Sequence, residues 1–183
     1  MKFSKHIILM ATLITTIASA TIAMTSPGDT AGLVSPFAQK SGSGLSGGFR
    51  LSARSEKELV KAGEPVVLKL SLTNTGRKAL IVYETSDETD YKLSIKDEKG
   101  ESVPLTEYGE KLLSSAEQLR RIKVEVKPGE EMQDSIRVSS LYRMAAGGTY
   151  FITATRQFFR RNGEPGEVMS NKVKITVMDE PNP

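Results

Sequence analysis

The chain has 183 residues, with 25 Lys+Arg against 22 Asp+Glu, no Cys, no Trp and a single His, His6. Without Cys, and with its one His in the leader, the mature chain cannot assemble a Ser-His-Asp triad, a Cys-His pair or a His- or Cys-ligated zinc site. Its carboxylates are spread among basic residues and give no privileged pair for glycoside hydrolysis, so the expectation is a non-enzyme without cofactors.

Lys2 and Lys5 lead an apolar run from Ile7 to Ile17, followed by Ala18, Ser19 and Ala20. This order predicts a signal peptide over residues 1–20, cleaved before Thr21. The alternative is an uncleaved anchor, but Thr and Ser residues leave the apolar core short of the ~20 residues a span needs. Loss of Lys2 and Lys5 lowers the net charge from +3 to +1. A nearly neutral chain has no broad field for nucleic acid or anionic membrane. The expected location is extracytoplasmic, in the periplasm or secreted, with no membrane insertion after cleavage. Residues 21–48 are rich in Gly, Ser, Pro and Thr and predict a flexible arm, with a docking peptide around Gly32 to Phe37 as the alternative.

From Phe49 onward the pattern has period two. Phe49, Leu51 and Ala53 share a face; Val66, Leu68, Leu70 and Leu72 oppose Val67, Lys69, Ser71 and Thr73. "KALIVYE" is apolar on both faces, as a central strand would be. Tyr91, Leu93 and Ile95 align, then Ile122, Val124 and Val126, then Ile136 and Val138, and finally Val173, Ile175 and Val177 opposite Lys172, Lys174 and Thr176. Each run reads as a half-buried strand. "KPGE" at 127–130 suits a type II turn, and Asn162-Gly163 suits a hairpin. Seven or eight strands with turns at short spacing predict an all-β, immunoglobulin-like antiparallel sandwich over residues 49–178, with 179–183 as a tail. Residues 105–121 interrupt the rhythm and read as a short helix or a long loop.

Two segments carry candidate partner contacts. In "GGTYFITATRQFF" (147–159), Tyr150, Ile152 and Ala154 face one way, while Phe151, Thr153 and Thr155 face the other. Tyr150 suits a buried ring at a sandwich corner. Phe151 either packs beneath 105–121 or is exposed for a partner. Phe159 leads into the cations Arg160 and Arg161; Arg120 and Arg121 form a second basic pair. An apolar residue flanked by guanidinium groups is a common composition for an interface anchor. Asp87, Glu88 and Asp90 supply carboxylates for Ca²⁺ in an extracellular setting, or simply form an acidic loop, since the D-x-D-x-D-G spacing is missing.

Three patches, "KAGEPVVLKLSLTNTGRKALIVY", "DYKLSIKDEKGESV" and "VKPGEEM" followed by "GGTYFITA", together resemble bacterial secreted immunoglobulin-like domains. They are similar to the fold of BsuPI-type intracellular proteinase inhibitors over roughly residues 58–178. The chain departs from that pattern in its export signal, in having no Trp after "GESV", and in the insertion at 105–121. The function expected is a non-catalytic binding or structural module acting through protein–protein contacts. The alternative implied by the resemblance is a proteinase inhibitor presenting a loop, either 105–121 or 156–166.

Overall fold

The computed structural model describes residues 44–46, 48–144 and 147–178, all within a compact unit spanning 41–183. The segments expected to be a signal peptide (1–20) and a tail (179–183), and most of the expected arm (21–48), lie outside the described residues. Chain order is β1 (Gly44–Ser46), β2 (Phe49–Ser55), β3 (Leu59–Lys61), β4 (Val67–Asn74), β5 (Leu80–Glu84), α1 (Asp87–Asp90), β6 (Tyr91–Lys96), α2 (Glu107–Ser115), β7 (Ile122–Val126), β8 (Glu131–Arg137), α3 (Val138–Leu141), β9 (Gly148–Phe159), β10 (Pro165–Met169) and β11 (Val173–Met178).

The strands form a four-stranded sheet, β1-β2-β4-β8, and a seven-stranded sheet, β3-β11-β9-β5-β7, with β6 and β10 also paired to β9. β9 is the organiser, because its 12 residues outrun any one neighbour. Along one side β11 pairs with Gly148 to Ile152 and β10 with Thr155 to Phe159. Along the other, β6 pairs with Phe151 to Arg156 and β5 meets it at Phe159. Between β10 and β11 the ladder runs through Ser170, whose N–H donates to the Ala154 carbonyl at 2.8 Å while its Oγ accepts from the Ala154 N–H at 2.9 Å. The next residue, Asn171, reaches the other sheet. Its amide accepts from the Ala53 N–H (2.8 Å) and donates to the Ala53 carbonyl (2.9 Å), standing in for a strand neighbour of β2.

The two sheets pack face to face in a sandwich-like arrangement. Phe49, Leu51, Leu68, Leu70, Leu72, Ile136, Ile152, Ala154, Phe158 and Ile175 are at most 2% exposed, as period two requires. Phe49 and Phe158 meet edge to face across the sheets at 5.1 Å. At one corner buried Asn74 donates to the Lys78 and Val126 carbonyls and accepts from the Gly76 N–H. Nearby, Gly129 at φ 81° and the Glu130 N–H to Lys127 carbonyl bond close the expected turn.

The described residues form eleven strands, more than seven or eight, and the pair β3–β11 is parallel. The unexpected strands have physical reasons for being missed. β1 and β3 have three residues each, too few to show alternation. β1 also lies inside the segment read as an arm. β10 begins with Pro165 and Gly166, poor strand formers; here Pro165 opens the strand and Gly166 sits opposite Phe158, whose ring fills the space of a Cβ. Residues 105–121 are mostly helix. Thr106 caps α2 by accepting from the Gly109 N–H and donates its own hydroxyl to the Ser140 carbonyl. Gly109 then lies directly on the Leu141 carbonyl of α3.

Candidate functional site

The outer face of β9 carries Thr149, Phe151, Thr153, Thr155, Gln157 and Phe159. Phe151 is half-buried, and its cross-strand partners are Lys96 on β6 and Lys174 on β11. The Lys172 ammonium lies over its ring, 5.7 Å from the centroid, a cation–π contact. Two rows further, beyond Thr153, Thr155 lies between Lys92 and Met169. Lys92, Lys96, Lys172 and Lys174 are all exposed, and among the described residues no carboxylate lies within ion-pair distance of them. Phe151 thus sits in a lysine frame. α2, the alternative cover for Phe151, is anchored on α3 instead.

Phe159, on the same face but eight residues on, is about 26 Å away and has a different setting. Its ring meets Tyr83 edge to face at 5.3 Å, and its cross-strand partners are Ile81 and Pro165. The hairpin cations beyond it are engaged. Arg160 lies 3.6 Å from Glu164, and Arg161 donates to Glu125 at 2.6 Å. The hydrogen bond and charge of Arg161 hold the Glu125 carboxyl below its usual range. Arg120 and Arg121 are exposed at the start of β7, between exposed Leu119 and Ile122. Arg121 is four residues from Glu125, about 13 Å along the strand. The six candidate contact residues therefore fall in three places: Phe151 at one end of β9, Phe159 with Arg160 and Arg161 at the other, and Arg120 with Arg121 at the far end of β7.

The sequence reading passed over a buried polar cluster. Arg156 occupies an inward position of β9 and is 1% exposed. Its Nη1 makes an ion-pair contact with Asp90 Oδ2 at 3.1 Å rather than a directed hydrogen bond, and Nη2 donates to the Tyr83 carbonyl at 2.9 Å. The guanidinium stands 4.8 Å from the centroid of the Tyr91 ring, and the Tyr91 hydroxyl crosses to the other sheet to donate to Asp134 Oδ2 at 2.6 Å. Burial, then the Asp134 charge, push the Tyr91 hydroxyl well above its ordinary pKa. The cluster ties β9, α1, β6 and β8 together.

The acidic run is taken up by the same architecture. Asp90 also accepts from the Thr85 N–H at 2.7 Å, and Asp87 Oδ2 accepts from the Ser135 N–H of β8 at 3.3 Å. Glu88 lines an open depression of about 560 Å³ with Val67, Tyr108, Ser135, Arg137 and Ser140. Asp87 and Asp90 serve separate partners, and among the described residues no group of three or more His, Cys, Asp or Glu is placed to hold a metal ion.

No protein-family model matches the chain, and neither does any curated protein. Among solved structures, the C-terminal domain of wzt is 13% identical with a TM-score of 0.46, over 74% of this chain and 77% of that one. A Northeast Structural Genomics Consortium target, SoR45, is 11% identical with a TM-score of 0.43, over 73% and 89%. The putative ApaA protein from Bordetella pertussis is 13% identical with a TM-score of 0.35, over 70% and 91%. At such scores these likenesses carry no argument about what this chain does.

Proposed function

We propose that the chain is an exported, non-catalytic binding module, an immunoglobulin-like sandwich that acts by protein–protein contact through the outer face of its seven-stranded sheet. The observation that carries this reading is the row Lys174–Phe151–Lys96 with Lys172 above the ring. An aromatic residue on a solvent-facing sheet, bracketed by cations that form no ion pair among the described residues, has the composition of an interface anchor. Export follows from the leader, and the resemblance to BsuPI-type domains bears on the sandwich. The inhibitor alternative draws less support from the geometry. Of its two candidate loops, 105–121 is largely helical, and in the 156–166 hairpin both arginines are engaged, Arg160 with Glu164 and Arg161 with Glu125 of β7, so neither is free to enter a proteinase pocket.

Site-specific photocrosslinking in the producing cell tests the reading. A photoreactive residue at position 151 is expected to give a protein adduct in the extracytoplasmic fraction, on a chain whose intact mass begins at Thr21. The same residue at Ser71, on the outer face of the other sheet, is expected to give none. Equal labelling at both positions, or none at 151, overturns it.

A further inference from the structure

We infer that the outer face of β9 is a trough for an extended, acidic polypeptide segment. This deepens the reading above and rests on it. The floor is Thr149, Phe151, Thr153 and Thr155, half-buried side chains on the central strand. The walls are long and exposed: Lys92 and Lys96 on β6, and Met169, Lys172 and Lys174 on the β10–β11 side. From Thr149 to Thr155 the floor runs about 20 Å, and the walls stand about two strand spacings, or roughly 10 Å, apart. That is room for one chain laid lengthwise.

Charge and spacing choose the occupant. One carboxylate, Glu98, meets the end of the floor, where it accepts from the Thr149 N–H at 3.1 Å; the four wall lysines have no carboxylate within ion-pair distance among the described residues, which leaves them open to a counter-charge from outside the sheet. Lys172 and Lys174 are two residues apart, about 7 Å, and Lys92 and Lys96 four apart, about 13 Å. Side chains on one side of an extended polypeptide repeat at the same interval of about 7 Å. Glu or Asp at alternate positions would therefore meet successive lysines. An anionic sugar or a nucleic acid would use Phe151 as a stacking platform, but Lys172 already occupies a face of that ring.

The probe is a labelled peptide of about eight residues alternating Glu and Thr, long enough to span the floor, read by fluorescence anisotropy against its Gln-for-Glu counterpart. The acidic peptide is expected to bind, and the Gln peptide to bind at least about tenfold more weakly. Lys96→Glu with Lys174→Glu should weaken the acidic peptide at least about tenfold, whereas Arg54→Glu on the other sheet should leave it unchanged. Thr153→Trp, which fills the floor without altering charge, should abolish binding. Lys92→Glu with Lys172→Glu repeats the charge test should the first pair perturb the thermal melt. Three outcomes overturn the inference: equal binding of the two peptides, indifference to Thr153→Trp, or a sulfated polysaccharide binding more tightly than the acidic peptide and depending on the same lysines. A photo-adduct at position 151 that survives both lysine reversals would keep the docking face and reject the acidic occupant.

Discussion

At the level of single residues, the Arg156 cluster joins electrostatics to stability. The side chains of Arg156 and its ion-pair partner Asp90 are 2% and 6% exposed, so removing one strands the charge of the other out of reach of water; for a buried pair this costs about 3–5 kcal/mol. Tyr91 offers a gentler probe. Replacing it by Phe deletes one hydroxyl bonded to Asp134 and should cost about 1.5–3 kcal/mol near neutral pH, the range for hydrogen bonds to charged groups. The hydroxyl ionises at ~10 in the unfolded chain and well above that in the folded one. Above pH ~10 the unfolded state thus binds fewer protons than the native state, and stability falls by up to about 1.4 kcal/mol per pH unit until the folded pKa is reached. The Phe variant lacks this loss. Urea melts of both proteins should show the gap between them closing as pH rises above ~10; a gap that stays constant would mean that Tyr91 is not held in its neutral form. The cluster could have been found from parity. Tyr150, Ile152, Ala154 and Phe158 all turn inward, and Arg156 shares their register.

Among elements, α2 most altered the expected picture, since its sequence offered no strong helical period and left helix and loop both open. Tertiary docking decides the matter. The Thr106 N–H donates to the Leu141 carbonyl, the Arg143 N–H to the Pro104 carbonyl, and Gly109 lies flush on Leu141. Gly109→Ala places a methyl group against that carbonyl, and the helix must lift. A helix ordinarily gains from Ala over Gly by up to ~1 kcal/mol, so a net loss of about 1–3 kcal/mol would mark the backbone clash. Limited trypsinolysis should then cut faster at Lys111 and Arg120, with the cores of β4 and β9 intact. A variant as protease-resistant as the parent would show that the close approach is not holding α2. The lysine frame around Phe151 has the opposite history. Alternation in each strand placed Lys172 and Lys174 opposite the core and Phe151 on an outer face. Pairing between β6, β9 and β11 joins residues up to about sixty positions apart, and a strand's own pattern names its faces but not its neighbours.

Over the whole molecule, alternation was the legible signal because each inward row buries against the opposite sheet. Each of the eight expected runs holds a strand, in β2, β4, β5, β6, β7, β8, β9 and β11, but the run through Ile136 stops short of its expected end, because Val138 opens α3. The rule weakens at a boundary. Ile122 shares a face with buried Val126 yet is 60% exposed, since β7 ends its sheet. What escaped was the material that closes the sheets rather than fills them: three-residue strands, a Gly-Pro strand, and the side chains of Asn171 and Asn74 replacing backbone neighbours.

β8 is likewise a terminal strand, and α1 packs along it, with Asp87 occupying the Ser135 N–H. A free row of strand N–H and C=O groups is a template on which another chain can add. The four residues of α1 therefore act as an edge guard against self-association. Asp87→Ala removes the exposed hydrogen bond to Ser135, a contact worth about 0.5–1.5 kcal/mol, and the soluble fraction after prolonged incubation at high concentration is expected to fall while thioflavin signal rises. A variant that melts earlier but stays soluble would show that this contact serves stability and not solubility.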